Sequence, residues 1–460
     1  MPSISTELLE RFDVPGPRYT SYPTADRFVE AFGADQLTHA LDQRKNGLGK
    51  ALVPLSLYIH VPFCESLCYY CACNKIITKK YDTAITYLHL LEREIDLYVK
   101  YLGLKQGVSQ LHFGGGTPTF LKDQDLKNLM NLLNEVFEFT PGCEKSIEID
   151  PRTVSKSRLE FLRELGFNRL SFGVQDFNER VQKAIHREQP FEDVRHLMQQ
   201  SRAVGFDSIN LDLIYGLPLQ TPSSFEYTLS QVLELEPERI AMYAYAHLPS
   251  RFKPQRRINS VDLPAPHSKL HMLSKAIEQL LGAGYDYIGM DHFAKPSDSL
   301  AVSKRRGTLH RNFQGYSVQP DGDLIGLGVS AISRVGASYS QNAKTIDEYA
   351  DLLEQERLPI VRGLTLNRDD LLRRAVIMAL MCQGTLSFEV IELAFLIDFQ
   401  SYFANELKAL ESMQTHGLLT LDTKSIEVTK KGWYFVRAIA MVFDKYLTLD
   451  ENRARFSKII

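Results

Sequence analysis

The sequence predicts an α/β protein: six strand–helix units forming a partial (β/α)6 barrel, an irregular segment before it, and a mostly helical, winged-helix-like domain after it. Three observations carry this. From residue 55 onward, short β-branched or aromatic runs alternate with helical stretches, the pattern of a parallel sheet. Residues able to do chemistry gather just after each run, where parallel folds place their sites. Beyond residue 365 the alternation gives way to helical patterns. For 460 residues, at roughly 150 per domain, two or three domains are expected. The boundaries read as an N-terminal extended segment (1–54), the barrel (55–290), a connecting and substrate-cavity region (291–364) and the C-terminal domain (365–460).

The first element is irregular. PGPRYTSYPTADRF holds three prolines, two tyrosines and two arginines, which suits an extended segment lying on something else. The strands then follow as SLYIH (56–60), SQLHF (109–113), SIEID (146–150), RLSFGVQ (169–175), SINLDLI (208–214) and RIAMYAY (239–245). In the first intervening helix, Ile85, Leu88, Leu91, Ile95, Tyr98 and Leu102 share one face, with Glu92, Arg93, Glu94 and Asp96 elsewhere. Later helices are expected near 123–138, 155–165, 191–204, 222–234 and 266–282, several stopping at glycine. Six units fall short of a closed eight-stranded barrel, so one side stays open. After residue 365 come helices, a hairpin in LLTLDTKSIEVT, and a final helix in KKGWYFVRAIAMVFDKYL. Winged-helix modules often bind DNA, but ANELKALESMQ is too poor in positive charge for a recognition helix, and a packing or lid role is expected.

Composition narrows the function. Lys plus Arg number 53 against 56 Asp plus Glu, a net charge of −3, so no basic footprint argues for nucleic acid or an anionic membrane. The N-terminus lacks a signal pattern, and no apolar run approaches the ~18 residues of a membrane span. The chain reads as cytoplasmic, where clustered cysteines serve as metal ligands or redox groups rather than disulfides.

Four of the six cysteines fall in one stretch, PFCESLCYYCACNK: Cys64, Cys68, Cys71 and Cys73. Thiolates are soft ligands that suit zinc or iron–sulfur clusters. Tetrahedral zinc usually draws on two separated pairs, and no second pair follows here. A C-x3-C-x2-C loop fits three corners of a cubane. Three ligands leave one iron open to a small molecule, whereas four would make an electron-transfer centre.

That loop after a first strand, with Tyr70 before its third cysteine and GGGTP (114–118) after the next strand, resembles the radical S-adenosylmethionine superfamily. YIHVPFCESLCYYCACNK, HFGGGTPTFL, SIEIDPRTV, GVQDFN, HREQ, NLDLIYGLP, YAHLP, GMDHFA, HRNFQGY and GVSAIS occur in order behind GPRYTSYPTA. Together they resemble the oxygen-independent coproporphyrinogen III oxidase family of bacterial haem biosynthesis, from Gly16 to the C-terminal FSKII.

The resemblance implies that Cys64, Cys68 and Cys71 ligate a [4Fe-4S] cluster with an open iron, and that Cys73 is extra. It implies two S-adenosylmethionine molecules. Tyr58, Gly115, Glu148 and Ile332 match contacts of the first, Gly115 by letting backbone approach the methionyl group. Tyr70, Gly116, Thr117, Gln175, Arg187, Asp212 and Ala246 border the second. The implied chemistry is reductive cleavage of S-adenosylmethionine to methionine and a 5′-deoxyadenosyl radical. Removal of hydrogen from a propionate β-carbon, with loss of carbon dioxide and one electron, leaves a vinyl group. Two such reactions turn coproporphyrinogen III into protoporphyrinogen IX. A flavodoxin- or ferredoxin-like electron donor and a monomeric state are implied by analogy. The four substrate carboxylates need cations, and Arg18, Arg305, Arg306 and Arg311 are the candidates.

On the residues alone, GGGTP reads as a turn, Glu148 and Asp212 as paired or capping carboxylates, and Gln175, Arg187 and each candidate arginine as surface residues. Two alternatives stand beside the enzyme. One is the haem chaperone of the same radical fold, which lacks the GPRYTSYPTA leader and the fourth cysteine. The other is a zinc-bound winged-helix regulator.

Overall fold

The computed structural model describes residues 8, 11, 12, 14–47 and 53–448. FSKII and parts of the N-terminal segment lie outside them. The chain forms two compact units, Phe28–Met272 with Gly322–Thr365, and Met1–Arg27 with Leu273–Asp321 and Leu366–Ile460. This division cuts across the sequence-based boundaries, because both the N-terminal segment and the region 291–364 are shared out between the units.

In the first of these units, six strands lie side by side in chain order and all parallel: β1 (Leu55–Val61), β2 (Gln106–Gly115), β3 (Phe137–Ile149), β4 (Arg169–Gln175), β5 (Ser208–Tyr215) and β6 (Arg239–Ala244). Their alternation explains the barrel. Leu57, Ile59, Leu111, Phe113, Ile147, Leu170, Phe172, Ile209 and Leu211 are fully buried, while the residues between them are polar and bond across the strands. Ser56 Oγ donates to Gln110, Gln110 to Glu144, and Arg169 to Glu144. His112 lies 2.7 Å from Ser146 Oγ and stacks on Tyr58. Asn210 donates to Ser171 and Asp212. One face of β1–β5 is thus apolar and buried, and the other forms a polar ladder.

The helices of this unit include α1 (Ala34–Asn46), which precedes β1, and the connecting helices α2 (Asp82–Leu102), α3 (Asp123–Val136), α4 (Lys156–Glu164), α5 (Phe191–Val204) and α6 (Pro222–Leu235). Helix α1 corrects the expectation of an irregular first segment: Ala34, Leu37 and Leu41 supply a buried stripe, and Gln36 caps the Gly33 amide. Helix α2 corrects another. Ile85 is 40% exposed, whereas Glu94, placed on the polar face by charge alone, is fully buried.

The sheet also continues beyond β1. Beside β1 runs β7 (Leu324–Leu327), parallel, followed by the antiparallel strands β8 (Ile332–Val335), β9 (Ser338–Asn342) and β10 (Ile360–Thr365). Glu94 reaches this extension: Gly328 N–H, Asn342 Nδ2 and Tyr349 Oη all donate to its carboxylate at 2.5–2.7 Å.

In the other unit, the C-terminal region has α7 (Arg368–Gln383) and a three-stranded antiparallel sheet in the order β11 (Thr385–Ser387), β13 (Ser425–Val428), β12 (Leu419–Leu421). The expected hairpin gains a third strand. The expected final helix is broken into Gly432–Phe435, Val436–Met441 and Lys445–Thr448, where Asp444 turns inward to accept from Tyr19 Oη and the Tyr446 amide. Tyr19 and Tyr22 of the leader are fully buried, so GPRYTSYP packs as core.

Candidate active site

A cavity of about 580 Å³ opens at the C-terminal ends of β1–β5, and Cys64, Cys68, Cys71 and Cys73 line it. The loop bearing them is held at several points. Ile76 N–H donates to Pro62 O and Thr78 N–H to Cys64 O. Tyr69 N–H donates to Ile185 O, and the Tyr69 ring stacks on His186 with centroids 5.1 Å apart. Tyr69 thus anchors the loop. All six cysteines are free.

The thiols differ. Burial pushes Cys64 up to about 11, against a hydrogen bond from Thr117 Oγ1 at 3.4 Å. The hydrogen bond from Cys73 brings Cys71 down to about 6, with help from Lys75. Cys73 itself is exposed. Among the described residues, no three His, Cys, Asp or Glu side chains converge closely enough for a single metal ion. Three thiols spread round one cavity instead suit a cluster, in which each iron takes one thiolate. The donor set fits a [4Fe-4S] cluster, and Cys73 is the most exposed of the four thiols.

The glycine loop follows β2. Gly116 N–H donates to Val61 O and Thr117 N–H to Phe63 O, both at 2.8 Å. Gly115 has φ +117, and a Cβ there would come within 2.7 Å of the His60 ring. Within the protein, glycine suits this position because φ is positive and His60 fills the space that a Cβ would take.

Glu148 accepts from the Gly115 amide at 3.0 Å and lies 3.4 Å from His112 Nε2. Burial alone would raise its carboxyl, but His112 and the amide hold it below the usual range. Asp212 goes the other way, pushed up to about 6 by burial and then by the Glu148 charge, although Ser171 and Asn210 both donate to it. The two carboxyls are thus shifted in opposite directions, one lowered by His112 and an amide and the other raised by burial.

Gln175 adopts φ +68, a left-handed conformation that a side chain enters at a cost. A buried network holds it. Asp176 accepts from Asn178 N–H and Gln220 Nε2, each at 2.6 Å, and from Thr228 Oγ1. Gln182 donates to Asp176 O and Gln189 O. Arg187 reaches the cavity from the same segment: Nε and Nη2 donate to Gly173 O, and Nη1 meets Asp150 Oδ2 at 3.2 Å.

Of the sequence-selected residues, the cavity wall gathers Tyr70, Gly115, Gly116, Thr117, Glu148, Gln175, Arg187 and Asp212 with the cysteines. Tyr58, Ala246 and Ile332 are not on it. Tyr58 lies behind the wall, its Oη 3.0 Å from His60 Nδ1. Ala246 is joined to Tyr70 through Gln255, whose Nε2 donates to both carbonyls. Ile332 begins β8, its carbonyl crowding Gly326, which is paired with Tyr58. Asp150 and Arg152 were missed as site residues, although an Asp-Pro-Arg turn closing a strand was a readable signal.

The candidate arginines separate. Arg305 and Arg306 are exposed at the end of the helix Ser299–Arg306, where cations complement the helix dipole, and Arg305 pairs with Asp286. Arg18 pairs with Asp291. Arg311 is buried, stacked on Tyr316 at 4.6 Å, and its Nη1 has no hydrogen-bond partner among the described residues.

The Radical SAM superfamily profile matches residues 58–232, and the HemN C-terminal domain profile matches 366–435. Fold and cysteine loop together define a radical S-adenosylmethionine protein. The oxygen-independent coproporphyrinogen III oxidase of Pseudomonas aeruginosa is 52% identical over 457 residues, covering 99% of this chain and 98% of that protein. That of Escherichia coli K12 is 47% identical over 453 residues, 98% of each. The solved structure of coproporphyrinogen III oxidase from Escherichia coli, described as a radical SAM enzyme, superposes with a TM-score of 0.89 at 48% identity, over 93% of this chain and 97% of that one. The chain belongs to the oxygen-independent coproporphyrinogen III oxidase family.

Proposed function

We infer that this chain is a radical S-adenosylmethionine oxidoreductase that oxidatively decarboxylates two propionates of coproporphyrinogen III to vinyl groups, giving protoporphyrinogen IX for haem synthesis. The observation that carries this is the three-cysteine loop facing the glycine loop and Glu148 across one cavity, in a chain that matches its relatives over nearly its whole length. Cys64, Cys68 and Cys71 would hold the cluster. When bound, the cluster and S-adenosylmethionine supply the one-electron chemistry that removes hydrogen from the propionate β-carbon.

The chain's own residues bind and orient. Ionised Glu148 accepts hydrogen bonds from an amine or ribose hydroxyls, alongside Tyr58, Gly115 and Ile332, at the first S-adenosylmethionine. Tyr70, Gly116, Thr117, Gln175, Arg187, Asp212 and Ala246 are assigned to a second. Arg311 is assigned to a substrate carboxylate, since a buried guanidinium with an unsatisfied N–H favours an anion. A flavodoxin- or ferredoxin-like donor supplies electrons, and the enzyme acts as a cytoplasmic monomer. Its free cysteines agree with a reducing compartment, and among the described residues no helix is long and apolar enough to cross a membrane.

The test is anaerobic turnover of reconstituted protein with a low-potential reductant, S-adenosylmethionine, coproporphyrinogen III and a cell extract as electron acceptor. The divinyl product is expected by mass. Unchanged tetrapyrrole with tight haem binding would assign the chain to the chaperone class.

A further inference from the structure

The turn that closes β3 and the segment that follows β4 bring two guanidinium groups onto one thiol. Arg187 Nη1 lies 3.4 Å from Cys68 Sγ and Arg152 Nη2 3.8 Å from it. Both arginines pair with a single carboxylate, Asp150, at 3.2 and 2.7 Å. Cys68, Arg187 and Asp150 are each less than a tenth exposed. Arg187 is fixed from behind, since its Nε and Nη2 both donate to Gly173 O. Two cations against one anion leave a net positive charge beside Cys68, in surroundings that screen it poorly. Cys64 instead receives the neutral Thr117 hydroxyl.

Hydrogen bonds to ligand sulfur and local net charge are two of the levers that set the potential of an iron–sulfur cluster. Donors and positive charge favour the reduced, more negative state. We propose that Arg152 and Arg187 raise the reduction potential of the cluster through Cys68, and that Asp150 both aims the pair and limits the effect. The inference rests on the reading of Cys68 as a cluster ligand. It gives Arg152 a role in making the first electron transfer feasible for a low-potential donor, and gives Arg187 a role separate from contact with S-adenosylmethionine.

The experiment is potentiometric titration of the full-length, reconstituted protein without substrate or S-adenosylmethionine, read by electron paramagnetic resonance alongside iron and sulfide content. Arg152→Gln should leave the cluster in place and lower its midpoint, with reduction about tenfold less favourable, which is about 59 mV for a one-electron couple. Arg152→Lys keeps the charge and should move less than half as far. Asp150→Asn removes the opposing charge and should shift the midpoint the other way. A general loosening of the loop would move both variants in the same direction, so same-sign shifts, or an unmoved midpoint in Arg152→Gln, overturn the proposal. If Asp150→Asn fails to hold a cluster, the comparison of Arg152→Gln with Arg152→Lys decides, equal shifts counting against it. Failure of the ligand reading looks different: Cys68→Ser would then retain full iron and sulfide.

Discussion

Cys68 and Cys73 sit five positions apart in one loop, yet one is buried among arginines and the other lies at the exposed rim. Cys68→Ser should therefore lose cluster iron and sulfide while Cys73→Ser keeps values near the parent, both measured after the same reconstitution; equal loss would refute the split. Arg311→Ala should raise the KM for the tetrapyrrole about tenfold, roughly the 1.4 kcal/mol of one charge-assisted hydrogen bond. Arg305→Ala, removing an exposed cation, should leave KM unchanged. Buried carboxyls give a pH signature. Burial lifts Glu94 from 4.5 to about 7, so the folded state holds this proton more tightly than the unfolded chain does. The stabilisation from that proton is complete below about pH 4.5 and lost as pH rises through about 7, amounting to about 3 kcal/mol. Glu94→Gln should accordingly flatten the dependence of Tm on pH between those values, and an unchanged slope would contradict the assignment. The cysteines were legible because soft ligands at fixed spacing have few other uses. Glu94 was not, because charge marks it as surface, and its partners Gly328, Asn342 and Tyr349 lie more than 200 residues further along the chain.

At the scale of elements, the parallel strands were readable from their runs of apolar residues, and the site fell at their C-terminal ends as parallel folds require. Less visible was the polar alternation that turns one face of β1–β5 into a ladder, since each strand is short and its inward residues find partners on other strands. In the glycine loop, local sequence and tertiary packing each contribute a part. GGGTP announces a turn, but only the structure shows that His60 occupies the place of a Cβ. Gly115→Ala should cost about 2 kcal/mol, from backbone strain and collision with the ring, and weaken S-adenosylmethionine binding in equilibrium dialysis. His60→Ala in the same background should recover part of the stability, while no recovery would show that the ring is not the obstacle. Sequence missed α1 because prolines and tyrosines dominate the segment before it, and misjudged the final helix because Asp444 turns inward only in the folded unit.

For the molecule as a whole, the balanced charge gives no reason to expect a basic nucleic-acid binder, and the ordered motifs point to one family. What sequence could not supply was the division into two units, since each draws on segments distant along the chain. The central claim is that the cavity of the barrel directs hydrogen abstraction to the propionate β-carbon. The most direct measurement uses coproporphyrinogen III deuterated at those carbons, in anaerobic turnover, with the 5′-deoxyadenosine followed by mass. Deuterium should appear in 5′-deoxyadenosine, together with divinyl product and loss of two carbon dioxide molecules per tetrapyrrole. Unlabelled 5′-deoxyadenosine accompanying the same product would contradict it.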